Sequence, residues 1–273
     1  FKRKGNAPKI MGSRPGAMEN LVKTNKIETS FWKDKKVLIT GHTGFKGSWL
    51  TIWLNQIGAN VYGISLAPDQ KPSLFEKARI SRYCESIISD IRDYENTNSY
   101  IKKINPEIIF HLAAQPLVKE GYKNPINTFS TNVMGSINIL NISRNIKNLK
   151  TLIVITTDKV YKNKEWDFPY RENDELGGSD PYSASKASLE IIINSFRESF
   201  FKDKQVNILS ARAGNVIGGG DWSENRLIPD CVKSWSKKKK VIIRNPNSTR
   251  PWQHVLEAIS GYIMLANYLT KNK

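Results

Sequence analysis

The sequence predicts an α/β chain built as a doubly wound parallel sheet. Short apolar runs recur along it, and longer segments of helical periodicity separate them. A glycine triplet stands where the first run gives way to the first helical segment. Strands alternating with helices imply a parallel sheet covered on both faces, with ligands at the carboxyl ends of the strands.

The elements follow in order. "KVLIT" (36–40), ended by Gly41, reads as a buried strand, and "NVYGIS" (60–65) as a second. "ESIIS" (85–89), "EIIFHLA" (107–113), "TLIVITT" (151–157) and "VNILSA" (206–211) repeat the pattern. Helical periodicity covers roughly 45–57, 95–104, 125–146 and 181–202. After about 212 the pattern changes to the Gly-rich "GNVIGGGDW", a helix near 224–236 and a strand "VIIR" (241–244). The last segment, "QHVLEAISGYIMLANYLT", is helical and has no evident partner in the rest of the chain.

Composition narrows the class. The 273 residues are 39% hydrophobic, enough for a sizeable core. No apolar run reaches the length that spans a bilayer, and the start lacks the layout of a secretory leader. Cys84 and Cys231 have no metal-ligand spacing and no disulfide framework, which fits a reducing, cytoplasmic setting. The formal charge is +17, and residues 1–30 contribute seven Lys/Arg against two Glu. The basic run Lys237–Lys240 has no interleaved aromatic residues, so it reads as a solvated face rather than a nucleic-acid surface.

"LITGHTGFKGSWL" sets Gly41, Gly44 and Gly47 between the first strand and the first helix. Gly41 suits the tight turn, Gly44 the approach of backbone to a pyrophosphate, and Gly47 close helix–strand packing. The helix N-terminus adds free N–H groups and partial positive charge. The ribose signal is weaker. Position 65 is Ser, the nearest acid is Asp69, and no Arg follows to cradle a 2′-phosphate, so charge leaves NAD and NADP both open. Asp90 reads either as an adenine contact or as a helix cap.

The layout therefore divides into a flexible extension (1–30), a dinucleotide-binding domain (31–212) and a smaller, partial substrate lobe (213–273). "PYSASKASLE" carries Tyr182 and Lys186 four apart, on one face of a helix. A nearby ammonium and cofactor hydroxyls would favour the phenolate, making Tyr182 a usable base.

Taken together, "TGHTGFKGSWL", "HLAAQPLV", "TTDKVY", "YSASK", "RAGNVIGGGDW" and "RPWQHV" resemble the extended short-chain dehydrogenase/reductase superfamily, which has a Rossmann-like domain. Within it they most resemble the CDP-glucose 4,6-dehydratases, from about Phe31 to the end of the sequence. Members of that family run longer, so part of the substrate lobe is expected to be missing here.

The resemblance implies a hydro-lyase using NAD to turn CDP-D-glucose into CDP-4-dehydro-6-deoxy-D-glucose, for deoxysugar and O-antigen synthesis. Tyr182 would take the C4 hydroxyl proton, with Lys186 beside it and Thr157 orienting the C4 oxygen. Asp158 would be the acid at the C6 hydroxyl and Lys159 the base at C5. An adjacent cation lowers an Asp pKa, against the acid's task, and the sequence leaves that conflict open. The cofactor would meet Gly41, Gly44, Phe45, Gly47, Asp90, Ile91, Ala113, Tyr182 and Lys186. Asn215, Arg226, Arg250 and His254 would hold the nucleotide sugar, His254 being structural or a phosphate donor. Trp222 and Trp252 could stack on base or sugar. His111 reads as packed beside the cofactor and His42 as lining the turn. No metal is expected. A homodimer through a bundle of the helices near 125–146 and 181–202 is implied by analogy. A nucleotide-sugar 4-epimerase, or a non-catalytic dinucleotide-binding protein, is the alternative.

Overall fold

In a computed structural model, residues 27–272 are described. Six strands form one parallel sheet: β1 (Lys36–Thr40), β2 (Asn60–Ser65), β3 (Glu85–Ile88), β4 (Ile108–His111), β5 (Thr151–Ile155) and β6 (Asn207–Ala211). Their order is β3-β2-β1-β4-β5-β6. The order reverses between β1 and β4, which makes the crevice beyond their carboxyl ends the natural ligand site. β4 and β5 are buried along their whole length, as continuous apolar runs in a covered parallel sheet should be.

Two apolar layers cover the sheet. Helices α1 (Phe45–Gln56), α2 (Tyr94–Ile104) and α3 (Val118–Lys123) follow β1, β3 and β4. Helix α4 comprises Pro125–Phe129 and Gly135–Ser143, joined by a wide π-type turn at Ser130–Met134. Helix α5 is Pro181–Phe196, α6 Leu227–Ser236 and α7 Val255–Lys271. Successive strand residues face opposite ways. Val37 and Ile39 pack with Leu50 and Leu54 of α1 and with Val255, Ile259 and Ile263 of α7. Leu38 faces the other layer, with Ile101 of α2, Ile139 and Leu140 of α4, and Leu189 and Ile193 of α5.

Three expectations need correction. The last helix does have a partner in the chain. α7 lies against the sheet beside α1, and its end is tied down by Thr151 to Thr270 (2.8 Å) and by Asn207 donating to the Leu269 carbonyl (2.6 Å). The "VIIR" run is not a strand, and its Ile242 and Ile243 are exposed. The small second sheet instead pairs β7 (Asn215–Ile217) with β8 (Trp252–His254). Strand propensity alone does not hold a strand without a neighbour to share its backbone hydrogen bonds. Finally, the folded unit begins before Phe31. Ile27 packs on the core, Glu28 pairs with Lys271, and Trp32 is fully buried against Phe110. The rest of the expected extension, 1–26, lies outside the described residues.

Candidate active site

The carboxyl ends of the strands open on a cavity of about 970 Å³. Every residue assigned from the sequence to catalysis, to the cofactor or to the nucleotide sugar lines it, except His254. Trp222, Trp252, Ser65 and Asp69 line it as well.

The glycine loop builds one wall. Gly41 takes φ +80°, and a Cβ there would stand 2.7 Å from the Ala113 backbone nitrogen. A Cβ on Gly47 would overlap the Gly41 peptide, reaching 2.8 Å from its carbonyl carbon. Neither site tolerates a side chain, so α1 seats its N-terminus directly on the turn. Gly44 is the N-cap of α1, and the first-turn N–H groups beyond it have no partner within the helix.

A buried polar chain joins this wall to α5. Thr40 accepts from the N–H groups of Leu112 (3.2 Å) and Ala113 (3.1 Å), so its hydroxyl donates to His111 Nδ1 (2.6 Å). His111 Nε2 then donates to Ser136 (2.8 Å), which donates to the Asn132 carbonyl. Asn132 Nδ2 donates to Ser185 of α5 (2.9 Å). Burial, with Lys186 nearby, pulls the His111 pKa down to about 3, so the ring is neutral and its tautomer fixed. His111 is thus the packed histidine expected. His42 is also buried, not in the turn's rim but between Ser86, to which its Nε2 bonds (2.6 Å), and Phe75.

The opposite wall follows β5. The chain leaves the sheet at Thr156 and turns through Asp158–Val160. Thr157 caps this turn, accepting from Lys159 N (3.4 Å) and donating to Asp158 Oδ1 (3.0 Å). Its hydroxyl also lies near the Tyr182 phenol and favours the phenolate. Asp180 caps α5 by accepting from Ser183 N (3.0 Å), with Pro181 in the first turn, so Tyr182 and Lys186 sit in the first and second turns. Lys186 donates to the Ile155 carbonyl (3.1 Å). Burial raises the Tyr182 pKa; the Thr157 hydroxyl and Arg226 oppose it. Burial and the charge of Lys46 lower that of Lys186 to about 8. Among the described residues no ion pair joins Asp158 to Lys159, although the two are consecutive and both line the cavity.

The substrate-side residues are less uniform. Arg226 is held by Asp221 (2.9 Å) at the start of α6. The Arg250 guanidinium donates to the neighbouring Thr249 carbonyl (2.8 Å). Asn215 opens β7. His254, expected to be structural or a phosphate donor, is exposed and caps α7, its Nδ1 accepting from Leu256 N (3.3 Å) while its own N–H donates to Glu257 (3.3 Å). Asp90 does not cap α2, a task done by Asp93; it grips Arg92 (2.6 Å). Sequence reasoning passed over Lys46. It lines the cavity near Asp158 and Arg226, and burial followed by Arg226 lowers its pKa to about 8. Its signal was the one basic side chain inside the glycine motif.

Residues 38–272 match the family model described as GDP-mannose 4,6 dehydratase. A CDP-glucose 4,6-dehydratase of Salmonella typhimurium is 52% identical over 248 residues, which is 89% of this chain and 69% of that protein. The chain belongs to the GDP-mannose 4,6-dehydratase family. Two solved structures share this family's fold. One is epimerase Mth375 of Methanothermobacter thermautotrophicus, with TM-score 0.75 and 23% identity over 88% of this chain and 70% of that one. The other is a dTDP-glucose 4,6-dehydratase of Bacillus anthracis in complex with NAD, with TM-score 0.71 and 23% identity over 85% of this chain and 71% of that one. One is an epimerase and the other a dehydratase, so chemistry within this fold depends on the residues around the cavity.

Proposed function

We propose that the chain is an NAD-dependent hydro-lyase that converts CDP-glucose to CDP-4-dehydro-6-deoxy-glucose. The observation that carries this reading is that Asp158 and Lys159 share one cavity with the pair Thr157 and Tyr182. An epimerase needs the second pair but has no elimination for the first to perform. The 52% identity to a CDP-glucose 4,6-dehydratase supports the choice of substrate.

The residues fit a dinucleotide. Gly41, Gly44 and Gly47 bring no side chain against a pyrophosphate, and the first turn of α1, Phe45 to Gly47, lines the cavity. Phe45, Ile91 and Ala113 would flank the cofactor, and Asp90, steered by Arg92, would face its adenosine half. NAD supplies, when bound, a hydride acceptor for oxidation at C4 and a hydride donor for reduction at C6.

The chain's own groups handle the protons. Tyr182, as phenolate, removes the proton from the C4 hydroxyl. The ammonium of Lys186 and the hydroxyl of Thr157 stabilise the phenolate, and Thr157 can turn its hydrogen from Asp158 to the C4 oxygen. The 4-keto group then acidifies C5. Lys159, in its neutral form, takes the C5 proton while Asp158 donates one to the departing C6 hydroxyl, and one water leaves. Arg226 and Arg250 would grip the diphosphate in bidentate fashion, with Asp221 releasing Arg226 to do so. Asn215 would contact the sugar–phosphate.

The protein is assigned to the cytoplasm as a homodimer. The support for pairing is apolar side chains left exposed on α3, α4 and α5: Tyr122, Ile126, Phe129, Met134 and Ile191. Light scattering after size exclusion tests it. Substrate deuterated at C4 tests the reaction. A dehydratase returns the label to C6 of the same sugar, whereas an epimerase leaves it on C4.

A further inference from the structure

Glu190 lies one turn beyond Lys186 on the same face of α5, outside the cavity lining. Its side chain is only 7% exposed, and four donated hydrogen bonds converge on it. They come from Thr156 Oγ1 (2.5 Å), Ser210 Oγ (2.6 Å), Arg212 Nε (3.0 Å) and Arg212 Nη2 (3.1 Å). These donors belong to three different places. Thr156 stands between Ile155, whose carbonyl receives the Lys186 ammonium, and Thr157. Ser210 is in β6, and Arg212 follows it. Arg212 reaches on to the Glu172 carbonyl (3.1 Å) and lies over the Tyr161 ring (4.8 Å), which stacks on Tyr170.

A buried ion pair is a poor device for stability alone, because well-packed apolar side chains do as well. Its location is the informative part. We propose that Glu190, braced by Arg212, is a positioning residue: it clamps the end of β5 to α5, so that Thr157 and Lys186 keep a fixed spacing, and it supplies the anion behind Lys186. The proposal rests on the reading that Tyr182 and Lys186 serve the oxidation at C4.

The charges around Lys186 support the second half. Lys46 faces it from α1, His111 from β4, and Tyr182 and Glu190 from its own helix, with Asp158 in the turn beyond β5. Burial and Lys46 lower its proton affinity, and Glu190 raises it. Glu190 itself is pushed upward by burial, but the bonds from Arg212, Ser210 and Thr156 outweigh that and hold it ionised.

The test uses the full chain with lysine labelled at Cε and Nζ, and NMR titration of Lys186, assigned by its loss in Lys186→Met. Glu190→Gln is expected to move the Lys186 midpoint down by about half a pH unit or more, because a nearby opposite charge favours the charged form. Thr156→Val keeps the charge and removes the tether, so the midpoint should stay. In turnover with CDP-glucose and NAD, Glu190→Gln should shift the alkaline limb the same way, and Glu190→Asp should restore it. Thr156→Val should lower kcat about tenfold at unchanged KM, as a small misplacement of reacting groups does. An unmoved midpoint in Glu190→Gln overturns the electrostatic role. An unchanged kcat in Thr156→Val overturns the tether, even if Glu190→Gln does not fold. If the unaltered chain does not convert CDP-glucose, the functional reading fails, and the Lys186 titration still decides whether Glu190 holds its charge.

Discussion

Lys186 donates to the carbonyl of Ile155 at 3.1 Å, which pins the second turn of α5 to the last residue of β5. The next three residues are Thr156, Thr157 and Asp158. One hydrogen bond thus registers the Tyr182–Lys186 helix against the strand end that carries the other reacting groups.

Tyr182→Phe removes the proposed base without changing shape. Turnover should fall about 10²- to 10⁴-fold, the usual contribution of a positioned acid–base group, and the melting temperature should barely move. Steady-state rates and thermal melting check both. A variant keeping most of its rate would remove Tyr182 from the role given to it.

Asp158→Asn separates oxidation from elimination. Oxidation at C4 should continue, seen as the near-ultraviolet absorbance of reduced nicotinamide in a single turnover, while water loss stops. Normal product formation would mean that another group protonates the C6 hydroxyl.

Lys186 has a cost in the folded protein. Its pKa falls from 10.5 to about 8 on burial, which corresponds to about 3 kcal/mol against folding when it must be charged. Between about pH 8 and 10.5 the unfolded chain binds the extra proton, so this contribution to stability rises with pH across that window. Lys186→Met should therefore melt higher than the unaltered chain at pH 7, and the gap should close toward pH 10. A variant that melts lower at pH 7 would refute this.

Gly47→Ala should be costly because the new methyl meets backbone, not a side chain that can swing away. The loss should be about 1–3 kcal/mol, with weakened NAD binding. Chemical denaturation and calorimetric titration with NAD measure the two effects.

The sheet was legible because β4 and β5 are short, mostly apolar runs bounded by turn residues, as strands covered on both faces should be. The reacting groups were legible because they sit in short local motifs beside those strands. Long-range placement was not. The apolar face of α7 announces burial, but nothing local says that it covers a strand more than 200 residues earlier. "VIIR" has strand propensity and lacks a neighbour. His254 has a side chain suited both to a phosphate and to a helix cap, and in the fold it caps α7. Glu190 was missed by stopping the i,i+4 reading at Lys186, one turn short of the next partner.

The most direct measurement is to incubate the purified chain with CDP-glucose and NAD and to weigh the product by mass spectrometry. The account predicts a nucleotide sugar lighter by one water, with no net reduction of NAD. A product isomer of unchanged mass, or untouched substrate, would contradict it.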